Sequence, residues 1–104
     1  MGTLNFTVTD YAPSARKTDS TIPSTDVVTS GSFTTSGTAA NIEDGSGDIT
    51  LSLGQVLQAT AIGSAMWVSF GGTTAAAGTG FYIPLNATRE WECSEAGVVS
   101  SIDG

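Results

Sequence analysis

The side chains that most often carry out chemistry are scarce in this sequence, which contains no histidine and a single cysteine, Cys93. Histidine is the commonest general base near neutral pH, so its absence excludes Ser-His-Asp and Cys-His catalysis. A structural zinc site needs several Cys or His ligands, which one cysteine cannot supply. We therefore expect no enzymatic activity, no catalytic or metal-binding residues and no cofactor.

Carboxylates are the remaining candidates for chemistry, and they form two groups. Residues 43–48, EDGSGD, place acidic side chains around two glycines, as calcium loops can do. The spacing differs from that of an EF-hand, so we interpret the segment as a solvated turn, and calcium binding stays open. Glu90, Glu92 and Glu95 form the second group. Paired carboxylates can hydrolyse glycosides only inside a sugar-shaped cleft, so an exposed face is the preferred interpretation.

Other conspicuous residues have simpler explanations. The glycine-rich residues 71–80 lack the lysine and the strand–helix context of phosphate-binding loops, and we interpret them as a flexible connection. Cys93 is expected to be a small core residue. Trp67 and Trp91 are expected to be core or interface anchors in preference to a pair that stacks on a ligand.

Composition favours one β domain that spans residues 1–104. Only 12% of the residues are charged, about half of the usual fraction, and Gly, Ser, Thr and Ala take their place. A surface solvated by hydroxyl groups is typical of β proteins with many turns. The net charge of −7 disfavours binding to nucleic acids and to anionic membranes. It favours solubility or a basic partner surface.

The cysteine content and the first residues bear on the cellular compartment. One cysteine allows no intrachain disulfide, which fits folding in a reducing cytoplasm. The sequence Met1–Asn5 has neither the basic region nor the apolar run of a signal peptide. No apolar stretch is long enough to span a membrane. We expect a protein that folds in the cytoplasm.

Alternating apolar and polar residues predict seven or eight short strands separated by turns. The predicted strands cover residues 3–9, 26–35, 49–53, 55–62, 65–70, a hairpin at 81–93, and 96–103. Residues 55–62 could also form two helical turns, but eight residues without a cap signal favour a strand. Gly31 is expected to break the second strand, and residues 36–48 to form a polar connection. The hairpin would turn at Pro84–Ala87. Residues 65–70 carry apolar side chains on both faces, which predicts a central strand or a subunit contact.

Residues 10–25 contain two prolines and many hydroxyl residues, and they predict an extended arm or long loop. Residues 26–104, together with the strand at 3–9, would form the main β body. The predicted fold is all-β: a single small β-sandwich, or a jelly-roll or barrel-like domain, with an extended N-terminal arm.

Two motifs in the second half of the chain carry a family resemblance. Residues 66–71, MWVSFG, and residues 84–87, PLNA, follow one another across a Gly/Ala/Thr-rich loop. They resemble small virion proteins of tailed bacteriophages, in which a V-W-V-x-F-G strand precedes a P-L-x-A-G-x-x-E hairpin. Thr88 replaces the glycine of that pattern, and Glu90 lies one residue before the position of its acid. The resemblance covers about half of the chain, and the N-terminal half matches no family.

The resemblance implies a virion structural protein, and foremost a decoration or cement protein that binds and stabilises the assembled head. Its partner would be the major capsid protein or another virion protein, and a homo-oligomer, preferably a trimer, is expected. The protein would fold in the host cytoplasm and would finally be located on the capsid surface. A tail, neck or fibre component and a carbohydrate-binding β-sandwich module remain alternatives. The residues expected to contact the partner are Tyr11, Arg16, Lys17, Ile22, Trp67 and Trp91.

Overall fold

The computed structural model describes the backbone of residues 2–11 and 23–104, with the side chains of 2–10 and 27–104. Ten strands lie within these ranges: β1 (Thr3–Tyr11), β2 (Pro23–Thr34), β3 (Ala40–Asn41), β4 (Thr50–Leu51), β5 (Gln55–Ile62), β6 (Met66–Ser69), β7 (Phe81–Ile83), β8 (Thr88–Glu92), β9 (Gly97–Val98) and β10 (Ser100–Asp103). The described ranges contain no helix, and hence none that could cross a membrane.

Eight of the strands form two antiparallel four-stranded sheets. Sheet 1 has the strand order β2-β1-β5-β8, and sheet 2 has the order β3-β10-β6-β7. Strands β4 and β9 form a separate two-stranded ladder. The all-β prediction is confirmed, and the two sheets are consistent with a sandwich-like arrangement. Because β6 lies between β10 and β7, the prediction of a central strand at 65–70 is also confirmed.

A single apolar cluster connects the two sheets. Alternation places every second side chain of β1 and β5 inward, while the hydroxyl and amide residues between them point outward. The inward side chains meet apolar residues of β6 and β7 and of the connecting segments. The buried members of this cluster are Leu4, Phe6, Val8, Ile42, Ile49, Leu51, Leu57, Ala59, Ala61, Met66, Val68, Ile83, Cys93 and Val99.

The ring of Phe6 sets the spacing within sheet 1. Phe6 pairs with Gly31 on β2 and with Ala59 on β5, so a large side chain stands between two small ones. A Cβ atom at position 31 would lie 3.2 Å from Cζ of Phe6, closer than side chains normally approach. Gly31 therefore leaves room for the ring. The prediction that Gly31 breaks the strand is wrong, because β2 continues past it to Thr34.

The segment at 81–93 is not a hairpin. The turn Pro84–Ala87 is present, with the Ala87 N–H donating to the Pro84 carbonyl at 3.0 Å. However, β7 pairs with β6 in sheet 2, and β8 pairs with β5 in sheet 1. Asn86 donates its N–H to the carbonyl of Ala61 at 2.7 Å, which ties the turn to the end of β5. The turn therefore carries the chain from one sheet to the other.

Three further boundaries differ from the sequence prediction. β1 reaches Tyr11 and β2 begins at Pro23, so the ends of the predicted arm at 10–25 belong to strands, and its middle lies outside the described residues. The predicted strand at 96–103 divides into β9 and β10, which pair with different strands. Within the polar connection at 36–48, β3 pairs with β10, and Ile42 is fully buried. At these three places a strand extends only as far as a neighbouring strand is available to pair with it.

The close fit of Phe6 against Gly31 yields a stability prediction. The substitution Gly31→Val should lower the free energy of unfolding by about 1–3 kcal/mol, because the added side chain overpacks the core. Urea denaturation followed by circular dichroism measures the change. Gly37→Val is the matched control, because nothing lies within 4 Å of a Cβ atom there. Equal stability of the two variants would contradict this account of Gly31.

Candidate partner-binding surface at strand β7

The residues expected to contact a partner fall into two sets. Tyr11 is the last residue of β1, and nothing further is described of its side chain, while Arg16, Lys17 and Ile22 lie outside the described residues. Their role stays a prediction. Trp67 and Trp91 are both described, and both are partly exposed. Trp67 lies on β6 of sheet 2 and Trp91 on β8 of sheet 1, so they belong to separate clusters.

Trp67 belongs to an apolar row on the outer face of sheet 2. Cross-strand pairing aligns Ile102 of β10, Trp67 of β6 and Tyr82 of β7. The Trp67 and Tyr82 ring centroids are 4.9 Å apart at a tilt of 51°. Tyr82 retains 45% of its surface exposed at the edge of the sheet. Such a row is unusual on a face turned toward solvent, because one sheet face normally suffices for the core.

The loop at 71–80 is attached to another part of that outer face through Ala75 and Gly72. The N–H of Ala75 donates to Oγ of Ser100 at 2.9 Å, and both residues are buried. The N–H of Gly72 donates to the carbonyl of Val98 at 3.2 Å. The sequence predicts a flexible connection for this segment, but the structure shows it packed on the sheet. It leaves the row that contains Trp67 and Tyr82 as the open part of the face.

Trp91 belongs to a second cluster, formed by three rings at the edges of both sheets. Phe70 follows β6, Phe81 opens β7, and Trp91 lies on β8. Their centroids are 5.3 to 5.9 Å apart, with interplanar angles of 60–61°. This edge-to-face geometry is the favoured arrangement of aromatic pairs. The interaction bridges the two edge strands β7 and β8, and Phe81 remains 50% exposed.

A cavity of about 280 Å³ opens beside these rings. Its walls combine apolar side chains with two carboxylates and several hydroxyl groups. The lining residues are Leu51, Ser69, Phe70, Thr73, Thr79, Gly80, Phe81, Trp91, Glu92, Cys93, Ser94 and Glu95. None of them is basic. The cavity can accept an apolar body that carries a positive or hydrogen-bonding group, but it is unfavourable for anions.

The turn after β8 positions the acidic rim of this cavity. Cys93 is buried, as the sequence predicts, and its Sγ–H donates to the backbone carbonyl of Glu95 at 3.3 Å. The backbone N–H of Cys93 donates to Gln55 O at 2.7 Å, which fixes the turn on β5. The side chain of Glu95 lies against Gly71, where a Cβ atom would come within 2.5 Å of its carboxylate. Gly71 therefore gives Glu95 its place at the rim.

The outer face of sheet 1 has a different chemistry. Ser32 donates through Oγ to Oδ1 of Asn5 at 2.5 Å, and the hydroxyl groups of Thr60 and Thr88 are 2.6 Å apart. Asn5 and Thr60 are themselves cross-strand partners, and Thr7 and Gln58 lie opposite each other in the next row of the same face. Neighbouring strands therefore supply many of the hydrogen bonds on this face. Hydroxyl and amide groups make it a solvated face, in contrast to the apolar row on sheet 2.

The acidic segment at 43–48 forms a tight turn. Asp44 accepts a hydrogen bond from the Thr29 hydroxyl at 2.6 Å and another from the Ser46 N–H at 2.9 Å. Asn41 Nδ2 donates to Asp48 at 3.0 Å. The described residues contain no group of three or more side chains that could hold a metal ion. These carboxylates therefore act as turn-forming hydrogen-bond acceptors.

Sequence reasoning missed the residues that complete the two clusters, namely Phe70, Phe81 and Tyr82. The predicted hairpin would have paired β7 with β8 in one sheet, which does not bring Phe81 and Trp91 together on one face. A usable signal was nevertheless present. Phe81 and Tyr82 are consecutive aromatic residues at the start of a strand, so they must lie on opposite faces.

Comparison of the chain with protein families, curated proteins and solved structures finds no match.

The hydrogen bonds to Asp44 predict its titration. The Thr29 hydroxyl, followed by the Ser46 N–H, lowers the pKa of Asp44 below its ordinary value of 3.8. Ionised Asp44 therefore stabilises the folded chain fully above about pH 4, and this contribution is lost as the pH falls through the lowered pKa. We expect carboxyl ¹³C NMR titration to show Asp44 protonating below 3.8.

Thr29→Val should raise the pKa of Asp44 toward its ordinary value, because it removes the hydroxyl donor. Thr38→Val is the matched control, because Thr38 is exposed and its side chain has no described contact with Asp44. An unchanged Asp44 titration in Thr29→Val, or an equal shift in both variants, would contradict the assignment.

Proposed function

We propose that this chain is a structural component of a tailed-phage virion, most specifically a decoration protein that binds the assembled head. The observation that carries the proposal is that the two motifs of the family resemblance lie next to the same strand, β7. The residues on which the family resemblance rests, at 66–71 and 84–87, lie on either side of β7. They hold Trp67, Phe70 and the crossover turn that together present the exposed rings of Phe81 and Tyr82.

The surface chemistry supports a contact role for this region. Tyr and Trp are the residue types that most often anchor protein interfaces, since they bury a large apolar area and keep a polar group for hydrogen bonding. Leu85 in the crossover turn that follows β7 is also an exposed apolar residue, with 53% of its surface accessible. A net charge of −7 keeps the free chain soluble until it meets its partner.

The proposed mechanism is stabilisation by mass action. A protein that binds the assembled shell and not its separated subunits shifts the equilibrium toward the shell by its binding free energy. Many copies on one particle, or a trimer of this chain, would add weak contacts into a strong total. No catalytic group is required for this role.

A carbohydrate-binding module is the second candidate, and the cavity beside Trp91 favours it. An aromatic ring next to the carboxylates of Glu92 and Glu95 could stack on a sugar and accept hydrogen bonds from its hydroxyl groups. Titration with glycans, followed by Trp fluorescence, tests this candidate. A saturable shift would favour it, and no shift across glycans would count against it.

The first test of the virion proposal is the copy number per particle. Quantitative mass spectrometry of purified particles, scaled to the major capsid protein, should give a simple ratio that matches the capsid lattice. A few copies per particle would instead place the chain in the neck, tail or fibre. Absence from the particles would refute both virion roles.

The second test concerns the surface itself. Tyr82→Ser should weaken binding to particles that lack the chain about tenfold, because truncation of an aromatic anchor commonly costs more than 1 kcal/mol. Ile62→Ser is the matched control: Ile62 is 41% exposed, similar to the 45% of Tyr82, but lies on sheet 1. Circular dichroism checks the folding of both variants. Equal binding by Tyr82→Ser and the wild-type chain would exclude this surface as the contact.

A further inference from the structure

We infer that the cavity beside Trp91 binds the side chain of an arginine or lysine from an extended segment of the partner protein. The inference deepens the proposed function and rests on it only for the identity of that partner. It concerns the region between β7 and β8, where the three rings of Phe70, Phe81 and Trp91 meet the acidic turn after β8.

The size of the cavity favours a single side chain. Its volume of about 280 Å³ lies at the lower limit of small-molecule sites. A cavity of this volume suits one long side chain better than a larger cofactor or nucleotide. Leu51, Phe81 and Trp91 offer apolar walls along which an aliphatic stem can be buried.

The charge of the rim selects a cation over a neutral or anionic group. Glu92 and Glu95 line the cavity, and Glu90 lies on the same strand. Arg89 is the only basic residue whose side chain the structure describes; it is exposed, and its Nη1 donates to the carbonyl of Thr88 at 3.1 Å. An arginine or lysine side chain fits this combination, because its stem packs on rings while its charged end reaches the carboxylate of Glu95.

The strand arrangement explains why the side chain should come from an extended segment. In the described sheets, β7 ends sheet 2 and β8 ends sheet 1, so each strand has one edge without a neighbour. An extended segment can form main-chain hydrogen bonds to such an edge, and its alternate side chains then point into adjacent pockets. Phe81 lies on the same face as the buried Val68, which directs it toward the cavity.

A peptide titration of the intact chain tests the inference. The probe is the capped pentapeptide Thr-Val-Arg-Val-Thr, and the matched peptides replace its arginine with glutamine or norleucine. Resonances of Trp91, Phe81 and Glu95 are followed by ¹H–¹⁵N NMR. We expect saturable shifts with the arginine peptide and clearly weaker binding of both neutral peptides. Added salt should weaken only the arginine peptide, because it screens charge pairs.

Glu95→Gln should weaken the arginine peptide about two- to fivefold, as expected for one partly exposed charge pair, and should leave the norleucine peptide unchanged. Glu43→Gln is the matched control, since it removes the same charge from an exposed residue that does not line the cavity. Glu95→Gln preserves the shape of the side chain, so its fold should be maintained, which the NMR spectrum verifies directly.

Four results would overturn the inference: equal binding of the charged and neutral peptides, shifts that map to another surface, an equal effect of the two Glu variants, or no shift at about 10 mM peptide. The particle measurement separates this outcome from failure of the proposed function. If the chain is abundant in particles but does not bind the peptide, the virion proposal stands and the proposed side-chain site is refuted. If the chain binds the peptide but is absent from particles, the side-chain site stands and the virion proposal is refuted.

Discussion

The transfer of the chain between sheets at Pro84–Ala87 is the constraint on which the candidate surface depends. Asn86 adopts a positive φ of 62°, a conformation that asparagine tolerates better than most residues. Its N–H and the carbonyl of Ala87 both bond to Ala61, so the turn is fixed on β5. Because β7 and β8 then lie in different sheets, Phe81 and Trp91 are close enough to pack with centroids 5.9 Å apart. A hairpin would have hidden one edge of each strand against the other.

The same constraint divides the surface into regions of different chemistry. Sheet 1 buries Leu4, Phe6 and Val8 and turns hydroxyl and amide groups outward, as expected for a sheet with one core face. Sheet 2 buries Met66 and Val68 but also carries Trp67 on its outer face. The loop at 71–80 covers only part of that face. The outer face of sheet 2 carries a continuous cross-strand row of Ile102, Trp67 and Tyr82, whereas the exposed Ile62 of sheet 1 lies among hydroxyl and amide residues.

Local patterns in the sequence predicted much of the fold. The alternation at 3–9 correctly identified β1, and at 55–62 the short length and the lack of a helix cap correctly favoured the strand β5 over two helical turns. Prediction failed where the outcome depends on distant partners. Gly31 continues a strand because it faces the ring of Phe6, and β9 and β10 separate because different strands lie beside them. The placement of β7 and β8 was missed for a similar reason, since the turn at 84–87 is compatible both with a hairpin in one sheet and with a crossover between two sheets.

The candidate site was predictable in part for the same reason. Trp67 and Trp91 could be chosen as anchors from their residue type, and both are partly exposed at sheet surfaces. Their separation into two clusters could not be foreseen, because it depends on which sheet holds each strand. The acidic rim follows from the turn that Cys93 and Gly71 hold in place. Neither residue carries a sequence signal for that role.

The proposed side-chain site would suit the proposed role of a protein that acts in many copies. A single partly exposed charge pair contributes about 0.2–1 kcal/mol, and one aromatic contact adds a similar amount. One such site therefore binds weakly and releases its partner easily, which allows incorrect contacts to be corrected during assembly. When neighbouring copies are held on the same surface, each further contact forms at a high effective concentration, and the combined attachment becomes strong. The modest size of this site is thus consistent with a structural role and would be a disadvantage for a protein that must retain its partner alone.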